Sequence, residues 1–208
     1  MKHKSLNAQF EKSIEDYEKY WQAMDKTLYS LPKKYPGHSS RSNINIKLNI
    51  IGKTYNSGIA KLIKGTGAFT QLTDPFLSNG KSIDNLLREL CRIKEPLTKE
   101  KLSKIVDIHG RFSKRIMRIT RKYKGRKEGM HPRSFVSKYM HFHCPAVPLI
   151  DSFVPQTLSR ILPWEKKFAD TFPMPQNVDK EYAWYVMHFF PALQNDQKAN
   201  EESNRETG

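Results

Sequence analysis

The sequence predicts an all-α fold, a multi-helix bundle that forms a single domain over residues 1–194 and leaves residues 195–208 as a polar, disordered tail. Apolar residues recur at three- and four-residue spacing in one segment after another, which is the pattern of helices that bury one face. No segment alternates apolar and polar residues over more than four positions, so the pattern of a half-buried strand is missing. Stretches that contain proline or glycine separate the periodic segments, as loops between helices do.

The first predicted element is an outer helix over residues 6–30. Its apolar residues alternate at four and three positions and so form one seam, which consists of Phe10, Ile14, Tyr17, Trp21, Met24 and Leu28. We expect this seam to pack on the body of the protein. A coiled-coil dimer arm is the alternative, since three heptads approach the minimum for such an arm, and the oligomeric state therefore stays open. Leu31-Pro32 is expected to end the helix, because proline lacks the amide donor that the next turn requires.

Four further helices are predicted from the same periodicity, over residues 43–64, 82–93, 101–127 and 179–193. In the first of them, Gly52 and Gly58 are expected to mark the close approach of a neighbouring element. Residues 73–80 are expected to be a turn-rich connector. Thr98 has the residue type and the position of an N-cap for the third. The aromatic residues of the last are expected in the core or in a lid between helices, with a platform for stacked bases as the alternative.

Composition bounds the possible partners. The chain has a formal net charge of +15 and a pI near 9.8, and such an excess of cations attracts polyanions. We therefore predict nucleic acid, with DNA as the expected form, as the partner. No apolar run approaches the roughly 20 residues of a membrane span, and the N-terminal residues lack the apolar centre of a secretory signal. Cys91 and Cys144 are too few for a disulfide framework or a four-cysteine iron–sulfur cluster. The expectation is a soluble, cytoplasmic protein without membrane contact, metal or cofactor.

The most basic element is the predicted helix over residues 101–127, in which eleven cations accompany one acid, Asp107. Like charges on one helix repel one another, and bound phosphates relieve this repulsion, so the helix is predicted to contact nucleic acid. The residues assigned to this contact are Arg111, Lys114, Arg115, Arg118, Arg121, Lys122, Lys124, Arg126, Lys127 and Arg133. A solvated basic face without a partner is one alternative, and a surface for an acidic protein is another.

The rest of the chain is organised around residues 133–160, where two apolar helices flank a connector rich in proline. The residues with the spacing of a buried helix are Phe135, Val136, Tyr139, Met140 and Phe142. Cys144-Pro145 and Val147-Pro148 cannot continue this helix. Asp151 stands at the start of the second amphipathic run, where a carboxylate can cap the helix or project into a cleft.

Residues 43–162 resemble the helix-hairpin-helix DNA glycosylases, which share the fold of 8-oxoguanine glycosylase. In that family an apolar helix leads through a short Val-Pro loop to an aspartate at a helix start, as Val147-Pro148 leads to Asp151 here. The resemblance implies a glycosylase-like bundle that removes a modified or damaged base, with Asp151 stabilising the cationic sugar. The hairpin of the family, a Leu-Pro-Gly-Val-Gly-like turn, corresponds to residues 129–133, where a degenerate version is present.

Lys138 is the second candidate catalytic residue. Ser134, Lys138 and His141 share one stripe of the predicted helix by their four- and three-residue spacing. Neighbouring aromatic side chains would partly desolvate the lysine, which favours the uncharged amine that a nucleophile requires. The resemblance implies that such a lysine attacks the sugar carbon in glycosylases that also cleave the strand. A partner of Asp151 and a snorkelling side chain are the alternatives for Lys138. Ser134, Tyr139 and His141 are the expected pocket residues.

His141, His143 and Cys144 carry metal-binding side chains at close spacing, but histidines two positions apart on a helix point in nearly opposite directions. Because no second ligand pair at zinc spacing occurs in the sequence, we expect hydrogen-bonded, buried histidines rather than a metal site. The leading hypothesis for function is a DNA-binding, glycosylase-like enzyme. The alternative is a nucleic-acid-binding module on the same scaffold without catalysis, and the choice of base and of DNA or RNA stays open.

Overall fold

The structure builds helices from the periodic segments. It is a computed structural model, and it describes residues 12, 15–54, 59, 67–121, 123, 131–151 and 178–189. The helices are α1 (Gln22–Lys34), α2 (Arg41–Thr54), α3 (Ala68–Ser78), α4 (Gly80–Cys91), α5 (Lys99–Thr120), α6 (Arg133–His143) and α7 (Lys180–Trp184). A π-helical turn precedes α1 (Tyr17–Trp21), and another follows α7 (Tyr185–Phe189). These residues contain no strand, so the predicted all-α class is confirmed, while the glycosylase-like arrangement stays a prediction.

Helix α6 lies at the centre of the bundle and contacts α1, α2, α4 and α5. The residues predicted to be its buried face are buried in the structure, namely Phe135, Val136, Tyr139, Met140 and Phe142. Burial of each large apolar side chain contributes about 1.5–3 kcal/mol, so this short helix supplies much of the core. Polar residues on the same helix are buried too, and these carry the candidate site.

The connector expected over residues 73–80 is instead mostly helical. Helix α3 packs on α2, and its large buried residues are Phe69, Leu72 and Phe76. Pro75 lies inside the helix and removes the amide that would bond to the Gln71 carbonyl. The Tyr123 hydroxyl donates to that carbonyl at 2.7 Å instead. The prediction was wrong for two reasons. The apolar residues of α3 have helical spacing and are buried, and the carbonyl that loses its amide donor to Pro75 accepts a hydrogen bond from Tyr123.

The predicted outer helix departs from the expected seam. The π-helical turn adds one residue to its turn and so rotates the residues that follow it around the helix axis. As a result, Trp21 and Met24 are 45% and 38% exposed, whereas Leu28 and Leu31 are buried. Helix α1 also continues past Pro32 to Lys34, and the Tyr35 amide still donates to the Leu31 carbonyl at 2.8 Å, so the expected helix end at this proline was wrong.

Two glycines are required by close packing. A Cβ on Gly52 would lie 2.2 Å from a carbon of the Phe69 ring, so α3 approaches α2 at this point as the sequence predicts. A Cβ on Gly80 would lie 2.2 Å from the His38 carbonyl oxygen, and the start of α4 is therefore pressed against the α1–α2 loop. Gly58, the second amphipathic run after Asp151 and the predicted tail lie outside the described residues.

The two cysteines form a single disulfide that joins the end of α4 to the residue after α6. The Cα atoms of Cys91 and Cys144 are 5.3 Å apart, within the usual range for such a bond. The sequence contains too few cysteines for a framework, but these two meet because α4 packs on α6. None of the described helices combines the length and the apolar character of a membrane span.

Candidate functional site

The two candidate catalytic residues lie in direct contact. Lys138 Nζ is 2.5 Å from Asp151 Oδ2, which makes a charge-assisted hydrogen bond between α6 and the segment that follows it. The Lys138 side chain is fully buried, whereas the Asp151 side chain is 29% exposed. Lys138 is therefore a partner of Asp151, which was one of the alternatives for this lysine. The carboxylate of the pair is partly open to solvent.

Asp151 is positioned by a segment, Val147–Asp151, that lies along α6. His141 Nδ1 donates to the Val147 carbonyl at 2.7 Å. Ser137 Oγ lies 3.1 Å from the Ile150 carbonyl oxygen and accepts from the Ile150 amide at 3.3 Å. Ser137 and His141 lie one turn apart on α6, so α6 holds this segment at Val147 and at Ile150, just before Asp151.

The expected pocket residues face different partners. His141 Nε2 accepts from the Tyr29 hydroxyl at 2.7 Å, because its Nδ1 already donates to a carbonyl. Burial lowers the pKa of His141, which agrees with this neutral ring. The Tyr139 hydroxyl lies 2.7 Å from His38 Nε2, and Ser134 is half-buried one turn before Lys138. His141 thus faces α1 and Tyr139 faces the α1–α2 loop.

A buried polar network that the sequence reading missed surrounds the Tyr139 hydroxyl. His38 Nδ1 is 2.6 Å from Asp84 Oδ1, and its Nε2 contacts Tyr139. Lys47 Nζ donates to the Gly37 carbonyl at 2.8 Å and lies 3.5 Å from His38 Nε2. These contacts connect the α1–α2 loop with α2, α4 and α6, so the network fixes the central helix in the bundle.

Burial sets the charges in this network. Burial, and then the nearby Lys47 charge, lower the pKa of His38 to about 4. The contact with Asp84 is therefore a hydrogen bond from a neutral imidazole at pH 7 rather than an ion pair. Burial also lowers the pKa of Lys47 to about 8, although the Asp84 charge opposes this shift. His143, which donates to the Tyr139 carbonyl, has a pKa lowered to about 3 by burial and by Lys47.

One sequence signal could have found part of the network. Lys47 interrupts the apolar stripe of α2, three residues after Ile44 and one before Leu48, and a lysine at such a position is buried. His38 gives no comparable signal, because it lies in a loop where residue spacing carries no information about burial.

A groove of about 340 Å³ lies between α4 and α5. Helix α4 lines it with Ser82, Asn85, Leu86 and Glu89, and α5 lines it with Arg111, Lys114, Arg115 and Arg118. Both sets follow three-, four- and seven-residue spacing, so each occupies one face of its helix. Four of the residues predicted to bind nucleic acid thus line one concave surface.

The four cations differ in how they are engaged. Arg111 donates to Asp107 at 2.9 Å and to Glu89 at 2.8 Å, and Arg115 donates to Asn79 Oδ1 at 3.0 Å. Lys114 and Arg118 are exposed, and nothing in the described part of the chain forms a hydrogen bond or an ion pair with either. The sequence reading missed Glu89, since an acid on another helix is invisible to the charge pattern of α5.

The remaining predicted contacts fall into three groups. Arg121 is exposed in the turn after α5. Arg133 forms ion pairs with Asp179, at 2.7 Å, and with Glu181, so its charge is offset within the protein. The others lie outside the described residues, and these are Lys122, Lys124, Arg126 and Lys127.

The aromatic residues at the end of the chain belong to the core. Tyr182 and Tyr185 are buried, and the Tyr182 ring stacks on His109 with 3.7 Å between ring centroids. The Tyr182 hydroxyl donates to the Pro148 carbonyl and so supports the segment before Asp151. The core interpretation therefore holds for these two residues.

The described residues contain no group of three or more histidine, cysteine, aspartate or glutamate side chains that could hold a metal ion. Comparison with models of protein families, with curated proteins and with solved structures found no match for this chain. The resemblance to helix-hairpin-helix glycosylases therefore stays a prediction, and the candidate functional features are the Lys138–Asp151 pair and the α4–α5 groove.

Proposed function

We propose that the chain binds nucleic acid through the α4–α5 groove and the adjoining surface of α5. The observation that carries this proposal is the lining of the groove, where four cations accompany one carboxylate, Glu89. Lys114 and Arg118 add charge that the described residues do not offset. Phosphate oxygens are the partners that such cations recognise most strongly.

The spacing of these cations suits a phosphate backbone. Along α5, Arg111 and Arg118 share one face and are separated by about 10 Å, since each residue rises about 1.5 Å. One strand of nucleic acid presents a phosphate about every 3.4 Å along its axis, so several phosphates can lie within reach of this face. Contacts of this kind carry no sequence information, and we expect affinity to be similar for different sequences.

The test compares two variants with the same charge change. Lys114→Gln/Arg118→Gln removes the two cations of the groove, and Lys33→Gln/Arg92→Gln removes two exposed cations elsewhere. In duplex DNA, each phosphate contact contributes about 0.9 to the slope of log affinity against log salt, so the groove variant should lower that slope by about 2. Fluorescence anisotropy with labelled duplexes measures both slopes. Equal effects of the two variants would reject the groove as the contact surface.

Base removal is a second candidate function, and the 2.5 Å contact between Lys138 and Asp151 favours it. Asp151 would accept the Lys138 proton, and the amine would attack the C1′ carbon of the sugar while the bond to the base breaks. The base would leave with the bonding electron pair and take the proton back from Asp151. The C1′–O4′ bond would then break as a proton moves from the lysine nitrogen to O4′, which leaves the lysine joined to the opened sugar as a Schiff base. The exposed part of Asp151 is the route by which a sugar would approach the pair.

This second candidate is tested by trapping the adduct. Duplexes and single strands with modified bases are incubated with the protein and borohydride, which reduces a Schiff base to a stable bond. The trapped species should disappear in Lys138→Met, and abasic product should disappear in Asp151→Asn. If no modified base is released from any strand, the chain is a nucleic-acid-binding module without this activity.

A further inference from the structure

The α4–α5 groove is short and has the volume of a small-ligand site. Helices α4 and α5 are joined by a short loop and run in opposite directions, as the contacts of Glu89 with Arg111 and of Asn79 with Arg115 show. From Arg111 to Arg118 the groove extends over about 10 Å of helix. Its volume of about 340 Å³ lies at the lower end of the range for small-ligand sites.

The charge of the groove changes along its length. At one end, Arg111 is held by Glu89 and Asp107, so two carboxylates stand there. Lys114 and Arg118 lie further along α5, and Ser82 lies about 10 Å from Glu89 along α4 on the same groove. A phosphate between Lys114 and Arg118 meets cations, whereas a strand that continued past Glu89 would meet carboxylates.

We propose that the groove binds the terminal phosphate of a nucleotide, with the phosphomonoester between Lys114 and Arg118. This proposal rests on the proposed binding of nucleic acid and specifies which part of a strand enters the groove. A phosphomonoester carries a charge of about −1.5 to −2 at pH 7, against −1 for a phosphodiester. The dianion matches a site with two cations that the described residues do not engage, and the carboxylates at the Glu89 end disfavour a strand that continues in that direction.

The experiment uses single strands of one sequence that differ only in the end group, which is a 5′-phosphate, a 3′-phosphate or a hydroxyl. Adenosine monophosphate and inorganic phosphate are measured alongside, because a free nucleotide carries the same group. One of the phosphorylated strands should bind about tenfold tighter than the hydroxyl strand, since charge-assisted hydrogen bonds are gained. Isothermal titration calorimetry measures all five ligands against the full chain.

Ser82→Asp adds a carboxylate to the lining of the groove, and Ser82→Asn adds a neutral side chain of the same shape. The preference for a phosphorylated end should vanish in Ser82→Asp and persist in Ser82→Asn. A preference that survives Ser82→Asp would place the phosphate elsewhere and overturn the proposal.

The remaining outcomes separate this proposal from the general one. Equal affinity for all three strands, together with weaker binding by Lys114→Gln/Arg118→Gln, would overturn the terminal-phosphate site. The same result would support nucleic-acid binding through the groove. Binding of adenosine monophosphate with no binding of any strand would support the terminal-phosphate site, with a free nucleotide as its ligand, and overturn the broader function. Absence of binding by all five ligands would overturn both.

Discussion

Replacing Asp151 by asparagine should destabilise the protein more than replacing the lysine to which Asp151 is bound. The Lys138 side chain is fully buried, and Asp151→Asn removes the charge 2.5 Å from its ammonium while keeping the size of the side chain. Removing one partner of a buried ion pair costs about 3–5 kcal/mol. Because Asp151 is 29% exposed, water offsets part of this cost, and we expect a loss of about 3 kcal/mol in the free energy of unfolding.

The matched variant is Lys138→Met, which retains the length and apolar character of the buried chain. It leaves the Asp151 carboxylate in a position that solvent reaches, so the expected loss is about 1–2 kcal/mol. In Lys138→Met/Asp151→Asn neither charge is present. The coupling energy between the two changes should therefore be favourable by about 1–3 kcal/mol, as found for residues in contact.

Urea unfolding followed by far-ultraviolet circular dichroism supplies the four free energies of this cycle. The order of the two losses in the free energy of unfolding is the critical result, because it follows from the unequal burial of Lys138 and Asp151. A smaller loss for Asp151→Asn than for Lys138→Met would show that the ammonium is better solvated than its burial indicates. Additive losses would show that the two charges do not interact.

Three further predictions follow from the core and the buried network. The pKa of His38 in the folded protein is lowered from 6.5 to about 4, so between these pH values the unfolded chain holds a proton on this histidine and the folded chain does not. The free energy of unfolding should therefore fall by about 1.4 kcal/mol per pH unit as pH drops from about 6.5 to 4. Urea titrations of His38→Gln should show a shallower decline over the same range. Phe142→Ala should cost about 3 kcal/mol in thermal or urea unfolding, and a loss under about 1 kcal/mol would contradict its burial in the core. Gly80→Ala should cost about 1–3 kcal/mol, because its Cβ would meet the backbone of His38 rather than a movable side chain, with the exposed Ser78→Ala as the comparison in the same assay.

The fold was predictable where one face of a helix is apolar. The spacing on α6 is regular and its predicted core residues are buried, while Thr98 accepts from the Lys101 amide as a cap should. Prediction failed where a remote contact compensates for a local signal. Pro75 locally predicts the end of a helix. In the structure the Tyr123 hydroxyl, 48 positions further along the chain, donates to the Gln71 carbonyl that Pro75 leaves without its amide donor inside α3.

The candidate site was predictable in its residues and less so in its pairings. Sequence reasoning selected Lys138 and Asp151 separately, and the structure brings them into contact because Val147–Asp151 lies along α6. The basic face was predictable from the charges of α5 alone. The partial neutralisation of Arg111 by Glu89 was not, since it depends on how α4 and α5 pack.

Lys47 and Lys138 are both buried, and the two lysines differ in what surrounds the amine. Burial lowers the pKa of Lys47 to about 8, so roughly a tenth of its amine is neutral at pH 7, which favours a nucleophile. Its ammonium, however, faces the Gly37 carbonyl and the His38 ring, and Asp84 is already bonded to that histidine. Lys138 instead contacts a carboxylate that is both near enough to take its proton and open to solvent. If the chain removes bases as proposed, Lys138 is the expected nucleophile because its carboxylate partner can take its proton and is open to solvent, and Lys47→Gln should leave the borohydride adduct unchanged.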